Sequence, residues 1–76
     1  MPRLPRLTGN EVLRALRRAG WMLDRVRGSH HVLVHPSRPG VTVTVPVHAG
    51  ENLKPKTLSA ILDQAGLTVD EFVKLL

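Results

Sequence analysis

Gly28-Ser29-His30-His31-Val32-Leu33-Val34-His35, followed after a short connection by Val41-Thr42-Val43-Thr44-Val45, decides the fold. The second segment alternates apolar and polar with period two, so it reads as a strand whose Val side chains face a core. His30–His35 reads as the strand before it. Trp21–Val26 reads as a third strand, separated from it by the Gly28-Ser29 turn. Pro36-Ser37-Arg38-Pro39-Gly40 is a loop. Connections this short require antiparallel neighbours, so the three strands form a meander.

Helices flank the meander. Thr8-Gly9-Asn10-Glu11 is a capping box, with Leu7 and Val12 at the staple positions. Val12, Leu13, Leu16 and Ala19 recur at helical spacing and predict the buried stripe, while Arg14, Arg17 and Arg18 fall off it. Gly20 suits the position just past the helix end. Pro46–Lys54 is irregular. Pro55 suits the first position of a second helix. Its stripe is Leu58, Ile61, Leu62 and Ala65, and Gly66 ends it. Thr68-Val69-Asp70-Glu71 is a second capping box with Leu67 and Phe72 as its staple. It starts a short helix through Phe72, Val73, Leu75 and Leu76. Pro2 and Pro5 deny a helix to residues 1–7, which read as an extended arm before a single domain over 8–76. The order α-β-β-β-α plus a terminal helix, with helices on one sheet face, predicts a two-layer α+β domain.

Composition narrows the function. Seventy-six residues hold one modest core and leave no room for a dinucleotide-binding domain. The absence of cysteine excludes disulfides, thiolate catalysis and thiolate metal sites. The first residues are too polar for a secretory segment, and no apolar run approaches a membrane span, so a cytoplasmic protein is expected. The net charge is +5, and it is uneven. Residues 1–40 carry eight Arg against Glu11 and Asp24, and residues 41–76 carry three Lys against four acids. Arginine forks phosphate bidentately, which points to a polyanionic partner, in the first place nucleic acid. Plain solubility is served by the same charge.

The groups available for chemistry are four His, six carboxylates and a few hydroxyls. Neighbouring strand residues face opposite ways, so His30 and His31 cannot readily share a metal ion, and no ligand-spacing motif is present. His30, at a strand start beside a turn, fits a general acid/base better. Arg25 and Arg27 immediately precede it, and Arg14, Arg17 and Arg18 are candidates to surround it. A titratable imidazole beside phosphate-binding arginines suits RNA cleavage: one group takes the ribose 2′-hydroxyl proton and cations stabilise the phosphorane. The bland alternative is a set of surface histidines. Trp21 and Phe72, the only aromatics, read as core anchors, so RNA recognition would rest on backbone and shape.

Five segments between residues 19 and 67 then carry a resemblance that covers about residues 8–76. They are Ala19-Gly20-Trp21, Gly28-Ser29-His30-His31, Val43-Thr44-Val45-Pro46-Val47-His48, Leu53-Lys54-Pro55-Lys56-Thr57-Leu58 and Ile61-Leu62-Asp63-Gln64-Ala65-Gly66-Leu67. In this order they resemble the HicA, or YcfA-like, toxin family. The resemblance implies a fold similar to a double-stranded-RNA-binding domain and an mRNA interferase, an endoribonuclease that arrests translation. It implies a HicB-type antitoxin as protein partner and mRNA as substrate, with no metal or organic cofactor required. The family's catalytic His belongs to the Gly-Ser-His segment, which makes His30 the expected catalytic residue. Gly28 and Ser29 match the motif and are expected at the RNA, with no catalytic role for Ser29. His48 is an accessory candidate. Arg14, Arg17, Arg18, Arg25 and Arg27 remain electrostatic candidates by position alone, and a solvated helix face explains the first three equally well. His31 is expected to fill structure or line the rim of the cleft, and His35 to be exposed. Trp21 stands where the family usually has a Phe or similar aromatic, and is expected to serve packing. The free protein is expected to be a monomer. A non-catalytic RNA-binding module of this fold, or an inactive relic that only binds an antitoxin, would share these features.

Overall fold

The first helix, α1 (Gly9–Arg18), begins where the capping box places it. The Thr8 hydroxyl accepts from the Glu11 N–H, and the Glu11 carboxylate accepts from the Thr8 N–H at 2.9 Å. The computed structural model describes residues 4–76. The order continues β1 (Met22–Arg27), β2 (His30–Val34), β3 (Thr42–Pro46), α2 (Pro55–Ala65) and α3 (Val69–Val73). The sheet order is β1-β2-β3 and both pairings are antiparallel. This is the α+β, double-stranded-RNA-binding-domain-like arrangement.

Packing follows from the two helix stripes meeting one sheet face. Val12, Leu13, Ala15 and Leu16 of α1, Leu58, Ile61, Leu62 and Ala65 of α2, and Phe72 of α3 bury against Leu33, Val43 and Val45. Ala15 completes the α1 stripe, whereas Ala19 caps the helix and is only partly buried. Both long helices lie toward β3, so β1 extends past them and all six of its residues are exposed. Val41, expected to face the core, precedes the strand and is exposed, because its N–H closes a turn onto the Arg38 carbonyl. Val73 and Leu76 also stay exposed, since five residues of α3 present a narrow face filled by Phe72.

Of the expected arm, residues 1–3 lie outside the described residues. Leu7 is buried in the core, and its carbonyl accepts from the Leu53 N–H at 2.7 Å. Thr8 forms an isolated antiparallel bridge with Asn52. These contacts hold the 47–54 connection against the start of α1. Gly9 has no room for a side chain there, because a Cβ would run into the Pro46 carbonyl and Val47. Among the described residues no helix is long and apolar enough to cross a membrane.

Candidate nucleic-acid interface and catalytic histidine

The β1–β2 turn sets the geometry around His30. Gly28 has φ of +56°, and among the described residues no non-glycine residue has a positive φ. Two residues, the first a left-handed Gly, make the tight hairpin connection that matches strand twist. With this turn Arg27 pairs with His30, Val26 with His31 and Arg25 with Val32. On the other side His30 pairs with Pro46, His31 with Val45 and Val32 with Thr44. Directly paired residues share a sheet face, and alternate residues along a strand share one too.

His30, Arg25 and Arg27 therefore stand together on the face away from the helices. Paired side chains begin with Cβ atoms about 4.5–5.5 Å apart and diagonal ones about 7–8 Å, within reach of long guanidinium side chains. All three residues are exposed. Arg27 has no carboxylate partner among the described residues, whereas Arg25 Nη1 lies 2.7 Å from Asp24 Oδ2. Asp24 is the extra residue where the β1–β2 register shifts between Leu23 and Arg25. Val32 is buried on this open face between its partners Arg25 and Thr44, apart from the main core. The stem of Arg25 thus has an apolar neighbour while its head stays in water.

The other candidates fall elsewhere. Arg14, Arg17 and Arg18 belong to α1, on the opposite side of the sheet, so they do not surround His30. Arg18 Nη1 donates to the Leu75 carbonyl at 2.6 Å and binds α1 to the last residues described. His31 lies on the helix side, half-buried, with Nδ1 a long 3.4 Å from the Ser29 carbonyl. That carbonyl also accepts from the Val47 N–H at 2.7 Å, so Ser29 ties the hairpin turn to the end of β3. Gly28 is exposed and open, with nothing within 4 Å of a Cβ placed on it.

His35 corrects an expectation. It is half-buried rather than exposed. Nε2 lies 2.9 Å from the Ala19 carbonyl, and Nδ1 accepts from the Ser37 N–H at 3.0 Å. These bonds require the proton on Nε2. The ring also meets Trp21 edge-on at 5.1 Å between centroids. Nothing near His35 in the sequence announces a partner for it, because the partner carbonyl comes from the end of α1, at Ala19. His35 follows β2 and turns in to seal the end of α1.

His48 is exposed and lines a cavity of about 360 Å³ with Pro46, the partner of His30, and with Asn52, Lys54 and Thr57. Among the described residues no group of three His, Asp or Glu side chains is placed to hold a metal ion. Two carboxylates in the molecule have lowered pKa values. The Thr8 backbone N–H and hydroxyl hold Glu11 below its ordinary value, and Thr68 does the same to Glu71. Both belong to helix caps.

A family model for the HicA toxin of bacterial toxin-antitoxin systems matches residues 9–67, spanning α1 through α2 with the Gly28-Ser29-His30 turn inside. The chain belongs to the HicA toxin family. It is thus a toxin of a toxin–antitoxin system, a class defined by an antitoxin partner. No curated protein matches the chain. For this HicA chain, the pairing of Arg27 with His30 was readable in principle, because a two-residue turn after Arg27 dictates it.

Proposed function

We propose that this toxin is an endoribonuclease that cleaves mRNA at His30 and so arrests translation. The single observation that carries the reading is the shared open face of His30, Arg27 and Arg25. The His30 imidazole removes the proton from a ribose 2′-hydroxyl, whose oxygen attacks the adjacent phosphorus. The bond from phosphorus to the 5′-oxygen breaks, and that oxygen takes a proton from solvent. The products are a 2′,3′-cyclic phosphate and a free 5′-hydroxyl. Arg27 and Arg25 bind the phosphate and offset the charge that develops on the phosphorane. None of these steps calls for a metal. The face carries Arg25 and Arg27 exposed, and a HicB-type antitoxin with an acidic surface is complementary to it. The substrate and this chemistry place the toxin's work in the cytoplasm.

The test is cleavage of RNA by purified protein in excess EDTA, wild type beside His30→Ala. Wild type is expected to cleave, and the folded variant to lose about 10²–10⁴-fold in rate, the usual contribution of one general acid/base. Equal cleavage by both proteins would remove His30 from the chemistry. RNA binding without cleavage by either would leave a binding module.

A further inference from the structure

We propose that the cavity between the end of β3 and the start of α2 is a nucleotide subsite, holding the RNA residue next to the scissile phosphate, with Lys54 as its phosphate contact. This inference rests on the ribonuclease reading above and adds a second contact region to it.

The argument starts from position. Pro46 is both the cross-strand partner of His30 and a wall of the cavity. Paired Cα atoms lie about 4.5–5.5 Å apart, so a strand of RNA crossing His30 enters this space next. The cavity, about 360 Å³, falls in the size range of small-ligand pockets, about 300–1,000 Å³. Pro46 and Leu53 supply apolar surface for a ribose or base. His48, Asn52 and Thr57 supply hydrogen-bonding groups, and Lys54 supplies the one fixed positive charge. Glu51 also lines the space and opposes the Lys54 charge. A single nucleotide suits this balance better than a dense polyanion. The Glu51 carboxylate, an acceptor only, suits a ribose hydroxyl or a base amino group.

The walls are held in place. The Leu53 N–H donates to the Leu7 carbonyl at 2.7 Å, the Glu51 N–H to the His48 carbonyl at 3.0 Å, and Asn52 bridges to Thr8. A second cavity of about 270 Å³ shares Asn52, Leu53 and Lys54 as walls, and Arg6 lines it. Lys54 thus borders both spaces, and a strand continuing past the first meets a further cation. Asn52 and Lys54 lie in the connection between β3 and α2, outside the β1 strand that carries Arg25 and Arg27, so the subsite is separable from them by mutation.

The experiment uses the full chain. Cleavage of an oligoribonucleotide is followed in EDTA for wild type, Lys54→Gln and Asn52→Ala. Lys74→Gln, at the end of α3, controls for loss of one positive charge. Binding is followed in a His30→Ala background across a salt series. Lys54→Gln should raise KM several-fold with kcat little changed. It should also flatten the slope of log K against log salt by roughly 0.7, the value for one contact to a single strand. Asn52→Ala should raise KM without changing the slope, and Lys74→Gln should match wild type. Shortening the RNA by one nucleotide should abolish the difference between wild type and Lys54→Gln at one end of the substrate only. Wild-type KM and slope in Lys54→Gln, with wild type cleaving RNA through His30, would overturn the subsite alone. Equal losses in Lys54→Gln and Lys74→Gln would reduce the effect to net charge and overturn it too. A wild type that neither binds nor cleaves RNA would overturn the ribonuclease reading and the subsite together.

Discussion

Removing one negative charge should make this toxin bind RNA more tightly. Asp24 Oδ2 lies 2.7 Å from Arg25 Nη1, with the two side chains about half exposed, and the pair competes with any phosphate for that guanidinium. Exposed ion pairs are worth about 0.2–1 kcal/mol. Asp24→Asn returns that amount to RNA binding, which corresponds to a Kd tighter by about 1.4- to 5-fold. Asp24 is the unpaired residue of the register shift, so the substitution leaves the β1–β2 pairing intact. The same geometry ranks the arginines. Arg27 has no competing carboxylate among the described residues, so Arg27→Gln should cost more affinity than Arg25→Gln. It should also flatten the salt slope by roughly 0.7. The assay is fluorescence anisotropy of a labelled oligoribonucleotide at several salt concentrations. It is done on His30→Ala protein so that the probe stays whole. Wild-type or weaker affinity in Asp24→Asn would refute the reasoning, as would an Arg25→Gln loss equal to that of Arg27→Gln.

Two further expectations concern stability. Hydrogen bonds from Thr8 and Thr68 lower the pKa of Glu11 and Glu71 below 4.5 in the folded protein, so the unfolded chain binds more protons in that range. Their contribution is fully present above the unfolded value and is lost as pH falls through the folded values. Urea midpoints measured from pH 6 to about 3 should therefore drop less steeply for Glu11→Gln/Glu71→Gln than for wild type. An unchanged profile would mean that the caps do not carry the acid sensitivity. His35→Ala removes one partly buried hydrogen bond, one exposed one and the edge contact with Trp21. It should cost about 1–3 kcal/mol in urea denaturation, with cleavage per folded molecule unchanged. A stable His35→Ala protein with impaired cleavage would move His35 into the RNA site.

Much of the molecule follows from local rules. Capping boxes at Thr8 and Thr68 announce helix starts without reference to the rest of the chain, because their donors and acceptors lie within four residues. The period-two run through Val43 and Val45 announces a buried strand face for a similarly local reason. Val41 departs from the period-two pattern because it precedes β3, where a turn rather than the pleat sets side-chain direction, and His35 is drawn inward by the Ala19 carbonyl and the Trp21 ring, partners that no local pattern announces. The Gly28-Ser29 turn before His30 is legible in the sequence, and the pairing of His30 with Arg27 follows from the length of that turn.

By itself the sequence determined the element order, the capped helices, the hairpin turn and a strongly arginine-rich half. These depend on backbone hydrogen bonds and side-chain periodicities that span a few residues. Only the tertiary structure decided which arginines accompany His30. Five were candidates by proximity in sequence, and packing α1 on the far side of the sheet left Arg25 and Arg27 with it. Only the tertiary structure brought His48, Asn52 and Lys54 around a cavity beside Pro46. That grouping depends on where an irregular connection is tied down by Leu7 and Thr8, more than 40 residues earlier in the chain. No local periodicity encodes such a contact, because it arises when two surfaces, each shaped by its own burial, meet.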